Sequence, residues 1–201
     1  MTEKRKAVFL DKDGTLIPDV PYNVNPDLIT LEDGVIEGLR LLKKDGFCFV
    51  IISNQAGVAK GYFNYHQLNQ VEQKINLLLQ PAGIKIEKYL FCPHHPEGKV
   101  KEYSTDCSCR KPKPGMILQA AKDLEINLEQ SWMIGDILND AEAGNRAGCK
   151  TILINNGNET EWVNGLYREP TFVAANFLEA VNFIRSNPYT FQVNDNKLAA
   201  V

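Results

Sequence analysis

The sequence predicts a single α/β domain built on a doubly wound, Rossmann-like parallel sheet with helices on both faces. Three observations carry that prediction. Short apolar runs alternate with segments of helical period along most of the chain. The runs are continuous and β-branched, as in strands covered on both faces. Strands that alternate with helices connect as βαβ units. The length of 201 residues suits one domain, and the 44% hydrophobic and 23% charged fractions exclude wholesale disorder.

The elements follow in order. Residues 7–10 form a buried strand, and residues 35–44 a helix with Val35, Ile36, Leu39 and Leu42 on one face and Gly46 beyond its end. Residues 48–52 are a second strand. Residues 64–80 are a polar-faced helix carrying Leu68, Val71, Ile75 and Leu78, closed by Pro81 and Gly83. A third strand covers 86–91, and a helix covers 114–124 with proline at its start, where a missing N–H costs nothing. Residues 132–134 form a short strand ending at Gly135-Asp136, followed by a helix over 140–147 closed by Gly148. Strands at 151–154 and 171–173 and a helix at 176–185 complete the alternation. The domain is expected to span 1–188, with 189–201 a polar, loose tail. Two segments break the pattern: 18–33, with prolines at 18, 21 and 26, and 92–114, about 20 residues without periodicity. A structureless stretch of that length is usually functional or held by a metal.

The net charge of −3 disfavours bulk binding to nucleic acid or anionic membranes. No apolar stretch approaches the ~20 residues of a membrane span, and the run after the charged N-terminus is too short for a signal peptide. A cytoplasmic location is expected, and with no evident apolar stripe, a monomer. Five cysteines are an odd number, and Cys92, Cys107 and Cys109 fall within 18 residues, which points to metal rather than to a disulfide framework.

Ligands of open α/β sheets sit beyond the carboxyl ends of the strands. There the sequence places Asp11-Lys-Asp13-Gly-Thr15, Ser53-Asn54-Gln55 and Gly135-Asp136-Ile-Leu-Asn-Asp140, with Arg110-Lys111-Pro-Lys113 just before a helix. Clustered carboxylates repel unless a cation lies among them, and hard oxygen ligands in a partial shell suit Mg²⁺. An aspartate can attack phosphorus, and a second carboxylate two residues on can protonate the leaving alcohol. Separately, Cys92-Pro-His94-His95 and Cys107-Ser-Cys109 supply three thiolates and an imidazole, a typical closed Zn²⁺ set that would order the loop 92–109. The spacing leaves the choice of histidine open; the symmetry of the two pairs favours His94.

Taken together and in order, these four stretches resemble the motifs of the haloacid dehalogenase-like phosphatases over residues 7 to about 155. The resemblance implies Asp11 as nucleophile and Asp13 as general acid/base. It implies Mg²⁺ held by Asp11, the Asp13 backbone carbonyl and Asp136, and a phosphoryl group held by Ser53 and a lysine. Lys111 is favoured for following Arg110 directly, and Lys113 is the other candidate. The cysteine pairs, followed by Arg-Lys-Pro-Lys-Pro-Gly115, resemble the zinc-containing branch shared by heptose bisphosphate and histidinol-phosphate phosphatases, which lacks a large cap domain. No long insertion exists here either.

A kinase or nucleotide enzyme would need a glycine-rich phosphate cradle, which is missing. A receiver-like domain would need neither the zinc loop nor Asp13, and a zinc-stabilised interaction module would need neither Asp11 nor Asp13. The expected substrate is a phosphosugar, D-glycero-D-manno-heptose 1,7-bisphosphate, cleaved at its anomeric phosphate and contacted by Asp19, Tyr22, Asn54 and Arg110. Spare cations (Arg110, with Lys60, Lys99 and Lys101 in reach) would meet the second phosphate. Histidinol phosphate, whose amine could pair with Asp19, is the alternative.

Overall fold

A computed structural model describes residues 4–187; the expected loose tail, 189–201, lies outside them. The six strands, β1 (Lys6–Leu10), β2 (Phe47–Asn54), β3 (Ile86–Cys92), β4 (Trp132–Gly135), β5 (Lys150–Ile154) and β6 (Phe172–Ala174), form one sheet in the order β3-β2-β1-β4-β5-β6. Every neighbouring pair is parallel. The order reverses beside β1, so the crevice beyond the carboxyl ends of β1 and β4 is the topological switch point.

Side-chain alternation along the strands builds two cores. Val8, Leu10, Phe49, Ile51, Trp132, Ile134, Ile152 and Ile154 face one side and pack with α1 (Val35–Lys44), α3 (Gln67–Leu79) and α6 (Phe177–Ser186). Ala7, Phe9, Val50, Ile52 and Met133 face the other and pack with α4 (Gly115–Asp123) and α5 (Leu138–Ala147). Both faces are covered, as the unbroken apolar strands require.

Three differences from the expected elements have physical causes. A four-residue helix, α2 (Gly57–Lys60), directly follows β2; a single turn is too short to show periodicity. Helix α3 begins at Gln67 rather than at 64, because Asn64 and Gln67 exchange side-chain-to-backbone hydrogen bonds of 3.0 and 3.1 Å and fix the preceding residues as a turn. Helix α5 begins at Leu138, two residues early, which puts Asp140 in its first turn. A further long connection runs from β5 to β6. Among the described residues no inserted domain covers the carboxyl ends of the strands, and no helix is long and apolar enough to cross a membrane.

Candidate active site

The carboxyl ends of β1, β2 and β4 open into a cavity of about 330 Å³. Its lining includes Asp11, Asp13, Asp19, Tyr22, Ser53, Asn54, Lys111, Asp136 and Asn158. Asp11 leaves β1 with its N–H bonded to the Ile134 carbonyl of β4 at 2.9 Å, which places it between two central strands. Gly14 then turns the chain with φ +75°, a conformation that strongly favours glycine.

Three carboxylates, those of Asp11, Asp136 and Asp140, offer oxygens within 4.8 Å of one another, all buried. The buried Lys111 ammonium answers them. It pairs with Asp11 Oδ1 and Asp140 Oδ1, each at 2.6 Å, and donates to the Ile52 carbonyl at 3.1 Å. Burial opposes the Lys111 charge, but the Asp11 and Asp140 carboxylates outweigh it and raise the pKa. One cation does not balance three acids. Burial, opposed by Lys111 and reinforced by Asp140, pushes Asp11 up to about 6. Burial, then repulsion from Asp11 and Asp140, pushes Asp136 up to about 8. Crowded, desolvated carboxylates of this kind are the donor set a hard divalent cation fits.

Asp13 points elsewhere. Its carboxylate pairs with the buried Lys12 and accepts a hydrogen bond from Gln55 Nε2 at 3.0 Å. Gln55 Nε2 also donates to Ser53 Oγ at 2.9 Å, linking the two. Asp19 is raised by burial and by the Asp13 charge. Tyr22 stands at the rim, where its Oη accepts from Lys60 Nζ at 2.6 Å and its ring meets Tyr62 edge-on.

Asn54 lines the cavity, yet its amide is engaged by Lys111. Nδ2 donates to the Lys111 carbonyl and Oδ1 accepts the Lys111 N–H, each at 3.0 Å. Arg110 is not among the lining residues; its guanidinium donates to the His94 carbonyl at 3.2 Å. Lys113 turns outward to Asp106 at 2.6 Å, so Lys111 is the lysine brought to Asp11.

Beside the pocket, Cys92, His94, Cys107 and Cys109 converge. The sulfurs lie 3.2–3.5 Å apart, and His94 Nδ1 is 3.4 Å from Cys109 and 3.7 Å from Cys92. A tetrahedral zinc with arms of about 2.3 Å has edges of about 3.8 Å, so the set fits. The hydrogen bond shared with Cys92 takes the Cys109 thiol down to about 5, and Cys92 is raised in turn. His95 Nδ1 instead accepts the Glu97 N–H at 3.2 Å.

Sequence reasoning did not single out Lys12, Gln55 or Asn158, and it assigned no role to Asp140. Gln55 and Lys12 each adjoin a motif residue, and Asp140 was visible as the second acid of its motif. Asn158 had no signal beyond its neighbouring asparagines.

A doubly wound sheet with this carboxylate and lysine cluster at its switch point is the arrangement expected of a HAD-like phosphatase. A HAD-hydrolase-like family model matches residues 108–180. The chain is 45% identical over 154 residues to the D-glycero-beta-D-manno-heptose-1,7-bisphosphate 7-phosphatase of Pasteurella multocida, covering 76% of this chain and 83% of that one. The enzyme of that name from Escherichia coli is 37% identical over 172 residues, covering 81% and 90%. A crystal structure of D,D-heptose 1,7-bisphosphate phosphatase from B. bronchiseptica, complexed with magnesium and phosphate, superposes with a TM-score of 0.78. It is 28% identical, over 90% of this chain and 99% of that one. The chain belongs to the family of HAD-like phosphatases that contains these heptose bisphosphate phosphatases. It is a phosphatase.

Proposed function

We propose that the protein hydrolyses a phosphomonoester of D-glycero-D-manno-heptose 1,7-bisphosphate through an aspartyl-phosphate on Asp11. The observation that carries the catalytic part is the Lys111 ammonium held between Asp11 and Asp140 in a buried carboxylate cluster. Asp11 attacks phosphorus and the P–O bond to the sugar breaks. Asp13 gives its proton to the departing alkoxide, then takes one from the water that cleaves the aspartyl-phosphate. Ser53 and Lys111 hold the phosphoryl oxygens. Asp11, the Asp13 carbonyl and Asp136 would hold Mg²⁺, which supplies countercharge to the carboxylates and the phosphoryl group. Cys92, His94, Cys107 and Cys109 would hold Zn²⁺, a structural ion that fixes the loop delivering Lys111.

For the substrate, the names of the relatives support the sugar bisphosphate and replace the anomeric expectation: they act at position 7. Asp19 and Tyr22 line the cavity and Lys60 reaches Tyr22, with the Arg110 charge felt at Lys60; these groups would meet the sugar and the retained phosphate. Cytosolic work as a monomer is part of this reading. The test is phosphate release from the heptose 1,7-bisphosphate, from the 1-phosphate and from histidinol phosphate. The bisphosphate should give the highest kcat/KM and leave the 1-phosphate as product. A preference for histidinol phosphate, or a 7-phosphate product, overturns the assignment.

A further inference from the structure

The connection after β5 begins Asn155-Asn156-Gly157-Asn158, and no step of the phosphoryl transfer uses it. Asn158 Nδ2 donates to Asp136 Oδ2 at 2.7 Å. Asn156 Nδ2 donates to the Gly14 carbonyl at 2.7 Å, and its Oδ1 accepts the Asn158 N–H at 3.1 Å. Gly157, at φ +94°, makes the turn that lets both amides reach the same side. A Cβ on Gly14 would fall 2.0 Å from Asp136 Oδ2 and 2.5 Å from Asn158 Nδ2, so the Asp136–Asn158 hydrogen bond lies directly over that glycine. The next residue, Glu159, accepts the Leu138 N–H at the start of α5 at 2.6 Å. One four-residue stretch therefore ties together the turn after β1, the carboxylate after β4 and the helix that carries Asp140.

A carboxylate that holds a cation needs its plane fixed without losing its charge. A lysine in place of Asn158 would neutralise Asp136 and repel the ion. A neutral amide donor on Oδ2 orients the group without supplying a competing positive charge. We propose that Asn158 is a positioning residue that sets the Mg²⁺ affinity of the site through Asp136, with Asn156 holding Asn158 and the Gly14 carbonyl in register. This rests on the reading of Asp136 as a Mg²⁺ ligand.

The experiment is isothermal titration of Mg²⁺ into the full-length, zinc-loaded protein and its variants Asn158→Ala, Asn156→Ala and Asp136→Asn, alongside kinetics at saturating Mg²⁺. Partners of metal ligands are typically worth roughly 10- to 100-fold in metal affinity. Asn158→Ala should raise the Mg²⁺ Kd by about that factor, and Asn156→Ala by less in the same direction. The substrate KM at saturating Mg²⁺ should stay within about twofold in both. If Asn158→Ala does not fold, Asn158→Ser, which keeps a short donor, should bind Mg²⁺ with a Kd between those of wild type and Asp136→Asn. An unchanged Kd in Asn158→Ala, or in that Ser variant, beside a raised Kd in Asp136→Asn overturns this inference and leaves the Asp136 reading standing. An unchanged Kd in Asp136→Asn overturns that reading, and the inference with it. A raised KM with unchanged Kd makes Asn158 a substrate contact and also overturns it.

Discussion

Asp11→Asn is expected to abolish turnover and yet stabilise the metal-free protein. Asp11 is 7% exposed and shares its pocket with Asp136 and Asp140, against the one ammonium of Lys111. Burial is the main reason its pKa rises from 3.8 to about 6. At about 1.4 kcal/mol for each pH unit, holding that charge above pH 6 costs about 3 kcal/mol. Asparagine keeps the shape and an oxygen for Lys111 but carries no charge, so the cost disappears. The pKa of about 6 already includes the attraction of Lys111, so the gain is up to about 3 kcal/mol. For a chain of this size that is up to about 6–12 °C in Tm. The sign with pH follows from proton binding. Folded Asp11 binds its proton more tightly than unfolded Asp11, so wild-type stability falls as pH rises from about 4 through about 6. The advantage of the variant should therefore be near zero at pH 4 and complete by about pH 7. Calorimetry of the metal-free proteins across that range, with phosphate release measured in Mg²⁺, checks both halves. A lower Tm for Asp11→Asn at pH 7, a gain that does not vary with pH, or surviving turnover would refute the reasoning.

Two further outcomes follow from the same geometry. Asp13→Asn should keep the Gln55 hydrogen bond and lose the proton transfer, for a loss of roughly 10²- to 10⁴-fold in kcat; steady-state rates near wild type would remove Asp13 from that role. Cys109→Ser should lower the zinc content from about one equivalent and reduce kcat, because the loop carrying Lys111 loses its anchor. Metal analysis beside a melting curve checks this, and a zinc-free protein of unchanged Tm and full activity would exclude a structural ion.

The sheet and most of the site were legible because their signals are local. A strand buried on both faces must be apolar throughout, so Phe9, Ile51 and Ile134 announce themselves, and the polar residues directly after such runs stand out. Asp11, Ser53 and Asp136 are of that kind. The cysteine pairs were legible because thiols at close spacing are rare. What escaped depends on distant contacts. Gln55 is visible beside Ser53, but nothing local says that its amide bridges Ser53 and Asp13. Nothing local marks Lys12, yet it is 1% exposed and paired with Asp13. Asn54 reads as a substrate contact, and only the fold reveals that its amide is occupied by the backbone of a residue 57 positions away. Asn158 lies in a connection with no periodicity, where asparagine is the expected turn residue in any case.

The way Lys111 is held explains why a Cys/His cluster stands just upstream of it. A buried ammonium facing several carboxylates must be placed closely, since a small displacement leaves buried charge uncompensated at a cost of several kcal/mol. Most such groups are placed by a strand or a helix. Lys111 instead comes from the irregular stretch between β3 and α4, where no ladder of backbone hydrogen bonds fixes the chain. Two devices substitute for one. Asn54 at the end of β2 grips both backbone groups of Lys111 in the way a neighbouring strand would. The Cys/His cluster fixes the chain two residues upstream, at Cys109. The same loop also braces α2, since the Lys99 and Val100 N–H groups both donate to the Ala59 carbonyl at 2.7 and 2.9 Å and Ala59 donates back to the Pro93 carbonyl at 3.2 Å. Lys60, the next residue, reaches Tyr22 at the cavity rim. A loop without a core of its own thus anchors the lysine at the floor of the pocket and, through one helical turn, the aromatic residue at its mouth.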